Sequence, residues 1–309
     1  MYLTLPFSAH PQALRIAFWN TENLFVPQDD SLTNDDEFTP DGTMRWTYKR
    51  YQAKLNGLCK TIVALDAPLI IGLAEVENSQ AMHDLCQGTA LRRLGYKYVH
   101  HDTPDLRGID NAMLYDSRNY RLLSSRLISM DSSHVLQHRR NHLLTIGVTK
   151  NGDTLVTIIC HFPSKLGGRD AAQARNLMAS QLRDTLDELR QLHPKAIIVA
   201  MGDFNAEPHE ESMTKSFGLP CDKWKNLMAD MPEGDGSYNY KGAWSYFDQI
   251  IVSTDGQTKY AAQVFRPDFL LTDDVKILGQ KPKRTYTGFR YQGGLSDHLP
   301  VYVDIFTTH

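Results

Sequence analysis

Six short apolar runs, spread along nearly the whole chain, each carry residues that can bind a metal ion or contact a phosphate. These residues are Asn20, Glu75, His161, Asp203 with Asn205, Asp248, and Asp297 with His298. Apolar runs of this length between turn residues indicate buried strands. Polar groups at the ends of many strands predict a site at one rim of a sheet scaffold, where rigid elements hold side chains from distant parts of the sequence together.

The wide spread of these residues predicts a single domain. The chain has 309 residues, a length that permits one large domain or two smaller ones. Because one site needs residues from Asn20 to His298, we predict one domain over residues 1–309 with a core at about 14–306. Hydrophobic residues make up 41% of the chain and charged residues 22%, which indicates a soluble globular protein with enough apolar material for a core.

The cysteines and the start of the chain bear only weakly on the compartment. Without a CxxC or Cys/His cluster, zinc-ribbon chemistry is not indicated, and the cysteines are predicted to be buried free thiols. The start, MYLTLPFSAHPQA, contains no lysine or arginine and no sustained apolar stretch, so it does not resemble a signal peptide. No apolar run approaches the roughly 20 residues of a membrane helix. We expect a monomer with no membrane span that is cytoplasmic, or secreted or periplasmic if a leader has been removed.

Periodicity predicts many strands and few helices. Helices are predicted over about 47–65, from Asn78 or Ser79, and over about 170–192 with Asp170 as N-cap. Strands are predicted over 14–19, 69–75, 95–101, 110–116, 121–129, 142–149 and 154–160. With the further apolar runs that carry Asp203 and Asp248 and that follow His298, strands outnumber helices by about three to one, and short turns between successive strands favour antiparallel pairing. We predict an α+β fold of two mixed, mainly antiparallel sheets packed face to face, with helices on the outer faces.

The run AIIVAM leads directly into Gly202, Asp203, Phe204 and Asn205. The glycine permits a tight exit from the strand, and side-chain alternation predicts that Asp203 and Asn205 lie on the same face. An acid beside a carboxamide can activate a water molecule and hold it, or a phosphate oxygen, in place. The alternative is an Asx turn with no chemical role. The other five motifs favour the functional interpretation.

An aspartate inside the apolar run YFDQIIV and an acid–imidazole pair before the last strand are the next candidates. Asp248 is costly to bury without a partner. His298 is the predicted partner, because a buried aspartate that hydrogen-bonds a histidine fixes its tautomer and raises its pKa. Asp297 offers a hard oxygen ligand, and His298 can carry positive charge against a phosphate. The SDH tripeptide alone would be weak evidence.

Two acidic residues and an amide at strand ends predict a metal site. Glu75 ends an apolar strand, and Glu77 lies on the same side if the strand continues. One of the two is the predicted Mg²⁺ ligand, because Mg²⁺ favours one or two carboxylates together with water and substrate oxygens. Asn20 closes the first strand and can support that ligand or contact the phosphate.

Two segments predict contacts to an anionic substrate. His161 is followed by Ser164, Lys165 and a Gly-Gly turn, a loop that can present polar side chains and backbone amides to an anion. Basic residues alternate with aromatic ones just before SDH: Lys281, Lys283, Arg284, Tyr286, Phe289, Arg290 and Tyr291. Such a segment can grip a phosphate backbone and stack a base, although a solvated surface loop is the alternative. The net charge of −3 does not suggest a general polyanion binder.

Three histidines with the spacing of helical metal ligands are interpreted as accidental. His134, His138 and His142 fall at i, i+4 and i+8. The surrounding sequence predicts a loop followed by a strand, which would scatter them.

Taken together, WNTENLF, LAEVEN, CHFPSKLGG, GDFN, FDQIIVS and SDHLPV resemble the endonuclease/exonuclease/phosphatase family. That family includes deoxyribonuclease I, abasic-site endonucleases, bacterial sphingomyelinases and inositol-polyphosphate phosphatases. The resemblance runs from Asn20 to about Ile305, with the motifs in the expected order. RGIDNAMLY, which contains Arg107 and Asp110, and EFTPDG with Trp46 resemble a bacterial branch that often begins with an NxENLF run.

The resemblance implies a four-layer α/β/β/α sandwich and a phosphoester hydrolase that depends on Mg²⁺ or Mn²⁺. It implies Glu75 as the main metal ligand, supported by Asn20 and Asp297. Arg140 is an expected substrate contact, because resembling sequences place an arginine just before this strand. The other expected substrate contacts are Arg107, Asp110, Ser164 and Lys165.

The resemblance assigns the remaining residues to catalysis. Asp203 would orient or deprotonate the attacking water, and Asn205 would hold the water or the phosphate. His298, paired with Asp248, would stabilise charge on the phosphoryl group, and either His298 or Asp203 can serve as the base at neutral pH. His161 would contact a phosphate oxygen. Abasic-site endonucleases have a tyrosine here, whereas deoxyribonuclease I and the sphingomyelinases have a histidine, which argues against abasic-site repair.

The sequence therefore predicts a divalent-metal-dependent phosphodiesterase that acts as an endonuclease on nucleic acid, by in-line attack of water. Two alternatives stay open. One is a phosphomonoesterase, or a lipid or inositol phosphoesterase, on the same scaffold, since substrate choice resides in the loops. The other is a non-catalytic binding module, whose signature would be a missing acid or histidine, and none is missing here.

Overall fold

Eighteen strands and three α-helices account for most of the regular structure in the computed structural model, which describes residues 13–30, 33–129 and 141–307. In chain order the strands are β1 (Leu14–Leu24), β2 (Ile70–Val76), β3 (Tyr96–His100), β4 (Asp110–Asp116), β5 (Tyr120–Ile128), β6 (His142–Thr149), β7 (Thr154–His161), β8 (Ile197–Asp203), β9 (Trp224–Asn226), β10 (Tyr238–Tyr240), β11 (Ala243–Ser245), β12 (Asp248–Ser253), β13 (Lys259–Val264), β14 (Leu271–Asp274), β15 (Gly279–Pro282), β16 (Tyr286–Thr287), β17 (Arg290–Tyr291) and β18 (Val301–Phe306). The α-helices are α1 (Tyr48–Ala64), α2 (Ser79–Gln87) and α3 (Gly168–Leu192). Short helical turns lie at Asp36–Phe38, Ala90–Leu94, Lys165–Gly167, Ser212–Ser216 and Asp268–Leu270.

Twelve of these strands form two six-stranded sheets. The order is β13-β18-β1-β2-β4-β3 in the first sheet and β5-β6-β7-β8-β12-β9 in the second. Within these two sheets, β1 pairs with β2 and β7 with β8 in parallel, and the other neighbours are antiparallel. Parallel neighbours need a crossover, which α1 supplies between β1 and β2 and α3 between β7 and β8. The prediction of mixed, mainly antiparallel sheets is confirmed.

Three buried apolar clusters separate four layers. Successive side chains of a strand point to opposite faces, so Ile16 of β1 packs in the cluster between the sheets with Met201 of β8. Trp19, three residues on, packs on the outer face with Leu58 of α1. A third cluster joins α3 to the outer face of β7 and β8. Each fully buried side chain of this kind contributes about 1.5–3 kcal/mol. The expected α/β/β/α sandwich is confirmed.

The first strand is longer than its sequence predicts. β1 continues to Leu24 instead of ending near residue 19, and its register against β2 shifts between Asn20 and Leu24. Within this shift Glu22 and Asn23 have φ values of 49° and 60°. Left-handed backbone at such residues costs free energy and persists only where the surroundings hold it. β18 pairs with β1, with Leu14 opposite Ile305, so both ends of the described chain lie in the first sheet.

The starts of the helices agree with prediction in two of three cases. Thr47 caps α1, and Asn78 caps α2 by accepting a hydrogen bond of 2.9 Å from the Ala81 N–H. α3 begins at Gly168 without a side-chain cap, so Asp170 is not the N-cap. Asp170 lies in the first turn, where its negative charge still favours the helix dipole.

The cysteines are free thiols: Cys59, Cys86 and Cys160 are buried and Cys221 is partly exposed.

His142 opens β6, is fully buried and stacks on Phe162, and burial lowers its pKa to about 3. His134 and His138 lie outside the described residues. Within the described ranges, no helix is both long and apolar enough to cross a bilayer.

Gly202 is required by the close approach of β8 to β7, not by a turn. It lies within β8, and a Cβ atom there would come 2.2 Å from the backbone oxygen of Cys160, its partner on β7. We expect Gly202→Ala to lower the free energy of unfolding by about 1–3 kcal/mol, the usual cost of overpacking. Chemical denaturation measures the loss.

Gly72→Ala is the matched control for this substitution, since Gly72 is also a strand glycine in the interior. Its Cβ would meet side-chain atoms of Ile159 and Met201 at 3.0 and 3.1 Å, and these can shift. The loss should therefore be smaller than at Gly202. Equal losses in the two variants would contradict the backbone clash as the cause.

Candidate active site

The strand-associated motifs meet at one rim of the two sheets. Asn20, Glu75, His161 and Asp203 lie toward the carboxyl ends of β1, β2, β7 and β8, whereas Asp248 and His298 lie at or just before the amino ends of β12 and β18. Antiparallel neighbours run in opposite directions, so a carboxyl end and an amino end meet at one edge. In the second sheet, His161 pairs with Asp203 and Asp203 with Asp248, which makes the three residues direct neighbours.

His298 and Asp248 form a buried hydrogen-bonded pair. His298 Nδ1 lies 2.7 Å from Asp248 Oδ2, and the Ser237 hydroxyl donates to the same oxygen. The ring of Tyr238 packs on the imidazole at 4.8 Å between centroids. Burial by itself would lower the pKa of His298, but the charges of Asp248 and Asp203 and the bond to Asp248 raise it well above its usual value. At neutral pH His298 is therefore positively charged.

Asp203 lies at the centre of the cluster. Its Oδ2 accepts a hydrogen bond from Asn20 Nδ2 at 3.1 Å and lies 3.8 Å from Nε2 of both His161 and His298. Burial raises the pKa of Asp203 to about 7, because the opposing attraction of His298 does not offset the desolvation and the charge of Asp248. The carboxyl group therefore exchanges its proton near neutral pH.

Asn205 is held by a turn and not by continued strand alternation. Its φ is 46°, its N–H donates to Asp203 Oδ1 at 2.9 Å, and its Nδ2 donates to the Phe162 carbonyl at 3.0 Å. The expectation of one shared strand face is wrong, because β8 ends at Asp203. The Asx-type turn is present and brings the carboxamide beside the acid.

Of the two candidate glutamates, only Glu75 faces the cluster. Glu75 Oε1 lies 3.8 Å from His161 Nε2, and Oε2 accepts a hydrogen bond of 3.0 Å from the Asn23 N–H. Its φ of 61° interrupts the alternation, so Glu77 turns elsewhere. Glu77 accepts a bond from the Val26 N–H, and burial raises its pKa to about 8.

The oxygen donors that the rim offers suit a hard cation. Glu75, Asn20 and Asp297 offer carboxylate and carboxamide oxygens, the ligands that Mg²⁺ and Mn²⁺ prefer. Ligand atoms of Asp203, Asp248 and His298 also lie within 4.8 Å of one another. A positively charged imidazole that is already bonded to Asp248 repels a cation, so we assign the candidate metal site to the oxygen side of the cluster.

Asp297, a candidate metal ligand, also contacts an arginine that the sequence did not predict to be its partner. Its Oδ2 accepts a hydrogen bond of 2.7 Å from Arg284 Nη2, and Arg284 Nε lies 3.4 Å from Glu22 Oε1. Arg284 thus contacts the centre from a loop, with its side chain 43% exposed. The guanidinium brings a fixed positive charge next to the candidate metal ligand.

A buried lysine supports this part of the site. Lys54 is 2% exposed, and its Nζ donates to the Glu22 carbonyl at 2.6 Å and to Thr285 Oγ1 at 3.0 Å. Burial raises the pKa of the Glu22 carboxyl to about 7 and lowers that of Lys54 to about 8. The sequence analysis did not identify Lys54 and Glu22 as part of the site. Lys54 lies beside Leu55 on the buried stripe of α1, and a lysine on such a stripe is a recognisable signal of a buried charge that needs a partner.

The predicted substrate contacts are placed unevenly. Arg107 reaches the rim, where its Nη2 donates to Asn23 Oδ1 at 2.8 Å. Ser164 caps the short turn at Lys165–Gly167, and Lys165 pairs with Glu210 and lies 4.6 Å above the Phe247 ring. Asp110 lies beside β2 opposite Val76, where it faces Thr103 and His100. Arg140 lies outside the described residues.

The basic and aromatic segment is only partly available to a ligand. Tyr286 is buried and packs on Trp46, so it cannot stack a base. Tyr291 lies under Arg50 at 4.3 Å, and Lys281 pairs with Asp274 at 2.9 Å. The exposed members are Lys283, Phe289 and Arg290. The prediction that this segment stacks a base therefore does not extend to the two tyrosines, because their rings pack in or against the outer apolar cluster.

Solved structures share this fold at low sequence identity. Humanized TDP2 from D. rerio with 14 mutations has a TM-score of 0.62 and 18% identity, covering 96% of this chain and 100% of that chain. An endonuclease/exonuclease/phosphatase from Bacteroides vulgatus has a TM-score of 0.63 and 16% identity, covering 96% of this chain and 99% of that chain. The mannosyl-6-phosphatase of Bacteroides thetaiotaomicron VPI-5482 has a TM-score of 0.62 and 17% identity, covering 94% of this chain and 99% of that chain. No curated protein matches this sequence.

The family match is the stronger result, since these structural likenesses show the fold alone. The model of the family described as "Endonuclease/Exonuclease/phosphatase family" matches residues 15–307. This range contains the candidate site residues at the rim, which are Asn20, Glu75, His161, Asp203, Asn205, Asp248, Asp297 and His298. Its members include metal-dependent phosphoesterases. This chain belongs to the endonuclease/exonuclease/phosphatase family.

Proposed function

We propose that this protein is a divalent-metal-dependent phosphoester hydrolase that cleaves phosphodiesters of nucleic acid as an endonuclease. The observation that carries the proposal is the position of Asp203 Oδ2, 3.8 Å from Nε2 of both His161 and His298, on the rim that also holds Glu75. A carboxylate between two imidazoles, next to an oxygen-rich cation site, suits in-line attack of water on a phosphorus atom. A binding module has no need of this arrangement.

Glu75 would hold Mg²⁺ or Mn²⁺, with Asn20 and Asp297 completing the oxygen ligands. The ion, when bound, neutralises negative charge on the phosphoryl oxygens. Glu75 is positioned for this task by the Asn23 N–H, which leaves Oε1 directed toward His161. Asn20 connects the two halves of the site, because its Nδ2 donates to Asp203.

The pKa shifts favour Asp203 over His298 as the base. A base works best when its pKa lies near the working pH, and that of Asp203 is raised to about 7. His298 is charged at neutral pH, so it cannot accept a proton there, but it can stabilise negative charge on the phosphoryl group. Asn205, fixed by the Phe162 carbonyl, is placed to orient the water or a phosphate oxygen.

Exposed cations and an exposed ring near the centre support a nucleic-acid substrate. Lys283 and Arg290 are exposed, and Phe289, 71% exposed, lies at the tip of the hairpin that β16 and β17 form. Cations bind successive phosphates and an aromatic ring can stack a base. One similar structure is TDP2 from D. rerio in complex with a single-strand DNA product, which has 18% identity to this chain.

A phosphomonoesterase is the second candidate, and Arg284 favours it. A monoester carries more negative charge than a diester, and Arg284 adds a fixed positive charge beside Asp297. Comparing p-nitrophenyl phosphate with bis-p-nitrophenyl phosphate and plasmid DNA, each with Mg²⁺ and Mn²⁺, separates the two candidates. A higher kcat/KM for the monoester than for either diester would replace the endonuclease proposal.

Glu75→Gln should weaken Mg²⁺ and Mn²⁺ binding and lower kcat/KM by about 100-fold or more. A bound cation supplies several kcal/mol of charge stabilisation, and the carboxamide is a poorer ligand. Titration calorimetry and steady-state kinetics measure the two effects. Glu77→Gln is the matched control: its side chain is a buried acid with a pKa near 8, so cation binding should not change. Normal affinity in Glu75→Gln would remove Glu75 from the site.

Asp248→Asn should lower the pKa of His298 and move the alkaline limb of the pH–rate profile to lower pH. Asp248 is the first of the charges that raise this pKa, and burial without it favours the neutral ring. Nitrogen NMR of the imidazole measures the shift. Ser237→Ala is the control, because it removes a hydrogen bond to Asp248 and leaves the carboxylate in place, so the His298 pKa should not fall. An unchanged pKa in Asp248→Asn would mean that the pair does not set the charge.

Lys283→Ala with Arg290→Ala should weaken DNA cleavage and reduce its salt dependence, with the slope against salt falling by about one for each lost phosphate contact. Lys281 and Arg284 are left intact because each already pairs with an aspartate. Hydrolysis of bis-p-nitrophenyl phosphate should stay the same. Lys150→Ala, an exposed lysine after β6 at the opposite rim, is the control. Equal loss on both substrates would contradict a separate nucleic-acid contact.

A further inference from the structure

We infer that the protein has a second cation site, beside the catalytic rim, formed by His100, Asp102 and Asp110. One ligand atom of each residue lies within 4.8 Å of the others. His100 ends β3, Asp110 opens β4, and Asp102 lies in the loop between these antiparallel neighbours. The site goes beyond the proposed function, because none of its residues is among the metal ligands or catalytic groups assigned to the rim that holds Glu75.

The buried imidazole of His100 is the main observation. Its side chain is fully buried, with Nε2 3.4 Å from Asp110 Oδ2 and Nδ1 3.7 Å from Asp102 Oδ1. Nε2 faces Asp110 at ion-pair distance, but it makes no hydrogen bond of good geometry to any residue in the described ranges. A buried polar atom left without a hydrogen bond is unfavourable, so it requires an explanation. A cation bound between Nε2 and Asp110 Oδ2 would supply the missing partner, with Asp102 close enough to contribute a further oxygen.

The surroundings of Asp110 are those of an oriented metal ligand. The Thr103 N–H donates to Asp110 Oδ1 at 3.2 Å and the Thr103 hydroxyl donates to the same oxygen, which leaves Oδ2 toward His100. Partners of this kind fix the orientation of ligating carboxylates.

The donor types distinguish this site from the Glu75 centre. An imidazole nitrogen with two carboxylates suits Zn²⁺ or Mn²⁺, whereas the all-oxygen set of the Glu75 centre suits Mg²⁺ or Mn²⁺. The Ser79 hydroxyl, 3.4 Å from His100 Nδ1, lies at the start of α2. The cation would therefore connect β3, β4 and the loop between them at a point where α2 begins.

The consequence for the molecule is a fixed loop next to the catalytic rim. Residues 101–109 carry Arg107, whose Nη2 bonds to Asn23 Oδ1 at 2.8 Å. The N–H of Asn23 in turn holds Glu75 Oε2. A cation on His100, Asp102 and Asp110 would anchor this loop at both of its ends and so support the position of Arg107.

The test starts from the whole chain with all metal removed. A cation is then added back, and the number of ions that bind is measured. Mn²⁺ is titrated with detection of free ion by EPR, and Zn²⁺ is counted by native mass spectrometry. We expect two Mn²⁺ ions in the wild type. Glu75→Gln should retain the His100 site, and pulsed EPR of that variant should show nitrogen coupled to the bound Mn²⁺.

Asp102→Asn tests the site with little risk to the fold, because the Asp102 side chain is 84% exposed. It should lower affinity at the second site by about tenfold or more, since losing even an outer-shell partner costs 10–100-fold. His100→Gln should remove the nitrogen coupling in the Glu75→Gln background. Asp184→Asn, an exposed aspartate on α3, is the control and should bind as the wild type does.

The result that overturns the inference is a single bound cation that Glu75→Gln removes, with no nitrogen coupling. His100 would then be an imidazolium held between two carboxylates. Two cations that both persist at full affinity in Asp102→Asn and His100→Gln would overturn it as well. If Glu75→Gln leaves binding unchanged while Asp102→Asn removes one ion, the second site stands and the proposed catalytic centre does not.

Discussion

The strand register at the centre of the second sheet is the constraint on which the rest of the site depends. His161, Asp203 and Asp248 are neighbours across β7, β8 and β12, so a slip of one residue in either pairing would send their side chains to opposite faces. Gly202 maintains the close approach of β8 to β7 just before Asp203. The backbone register by itself therefore brings three catalytic candidates together.

Burial then makes these side chains depend on one another. Two carboxyl groups and two imidazoles share the interior of the rim, and a lone charge there would be costly. Asp248 and Asp203 raise the pKa of His298 and so favour its charged form, whereas burial raises the pKa of Asp203 and so favours its neutral form. Because the pKa of Asp203 is raised from its unfolded value of about 4, its contribution to stability is fully present below that value. It is lost as pH rises through about 7. The property that suits Asp203 as a base therefore costs folding free energy at working pH.

Backbone strain is present at the rim. Of the nine non-glycine residues with positive φ in the described ranges, four lie there: Glu22, Asn23, Glu75 and Asn205. Such backbone persists when hydrogen bonds over-determine it. Lys54 donates to the carbonyls of Glu22 and Asn23, and the Asn23 N–H holds Glu75, so a buried lysine on α1 indirectly fixes the main candidate metal ligand.

The layered fold was predictable because it follows from local pattern. Apolar runs and helical stripes such as that of Leu55, Leu58 and Ile62 predict strands and helices wherever a core forms, and short turns between strands predict antiparallel sheets. The candidate residues were recognisable as well, since motifs at strand ends are read directly from the chain. Boundaries such as the end of β1 and the start of α3 were less predictable, because bulges and uncapped starts depend on neighbours.

What the sequence by itself determined is the architecture and the types of residues at the rim. Tertiary structure alone decided which of Glu75 and Glu77 faces the site, because one left-handed residue reverses the alternation on which the sequence argument relied. It also decided that Tyr286 belongs to the core, that Arg284 reaches Asp297, and that His100 lies between two carboxylates. Hydropathy and spacing describe a residue's neighbours along the chain, whereas charge pairing and burial depend on neighbours in space.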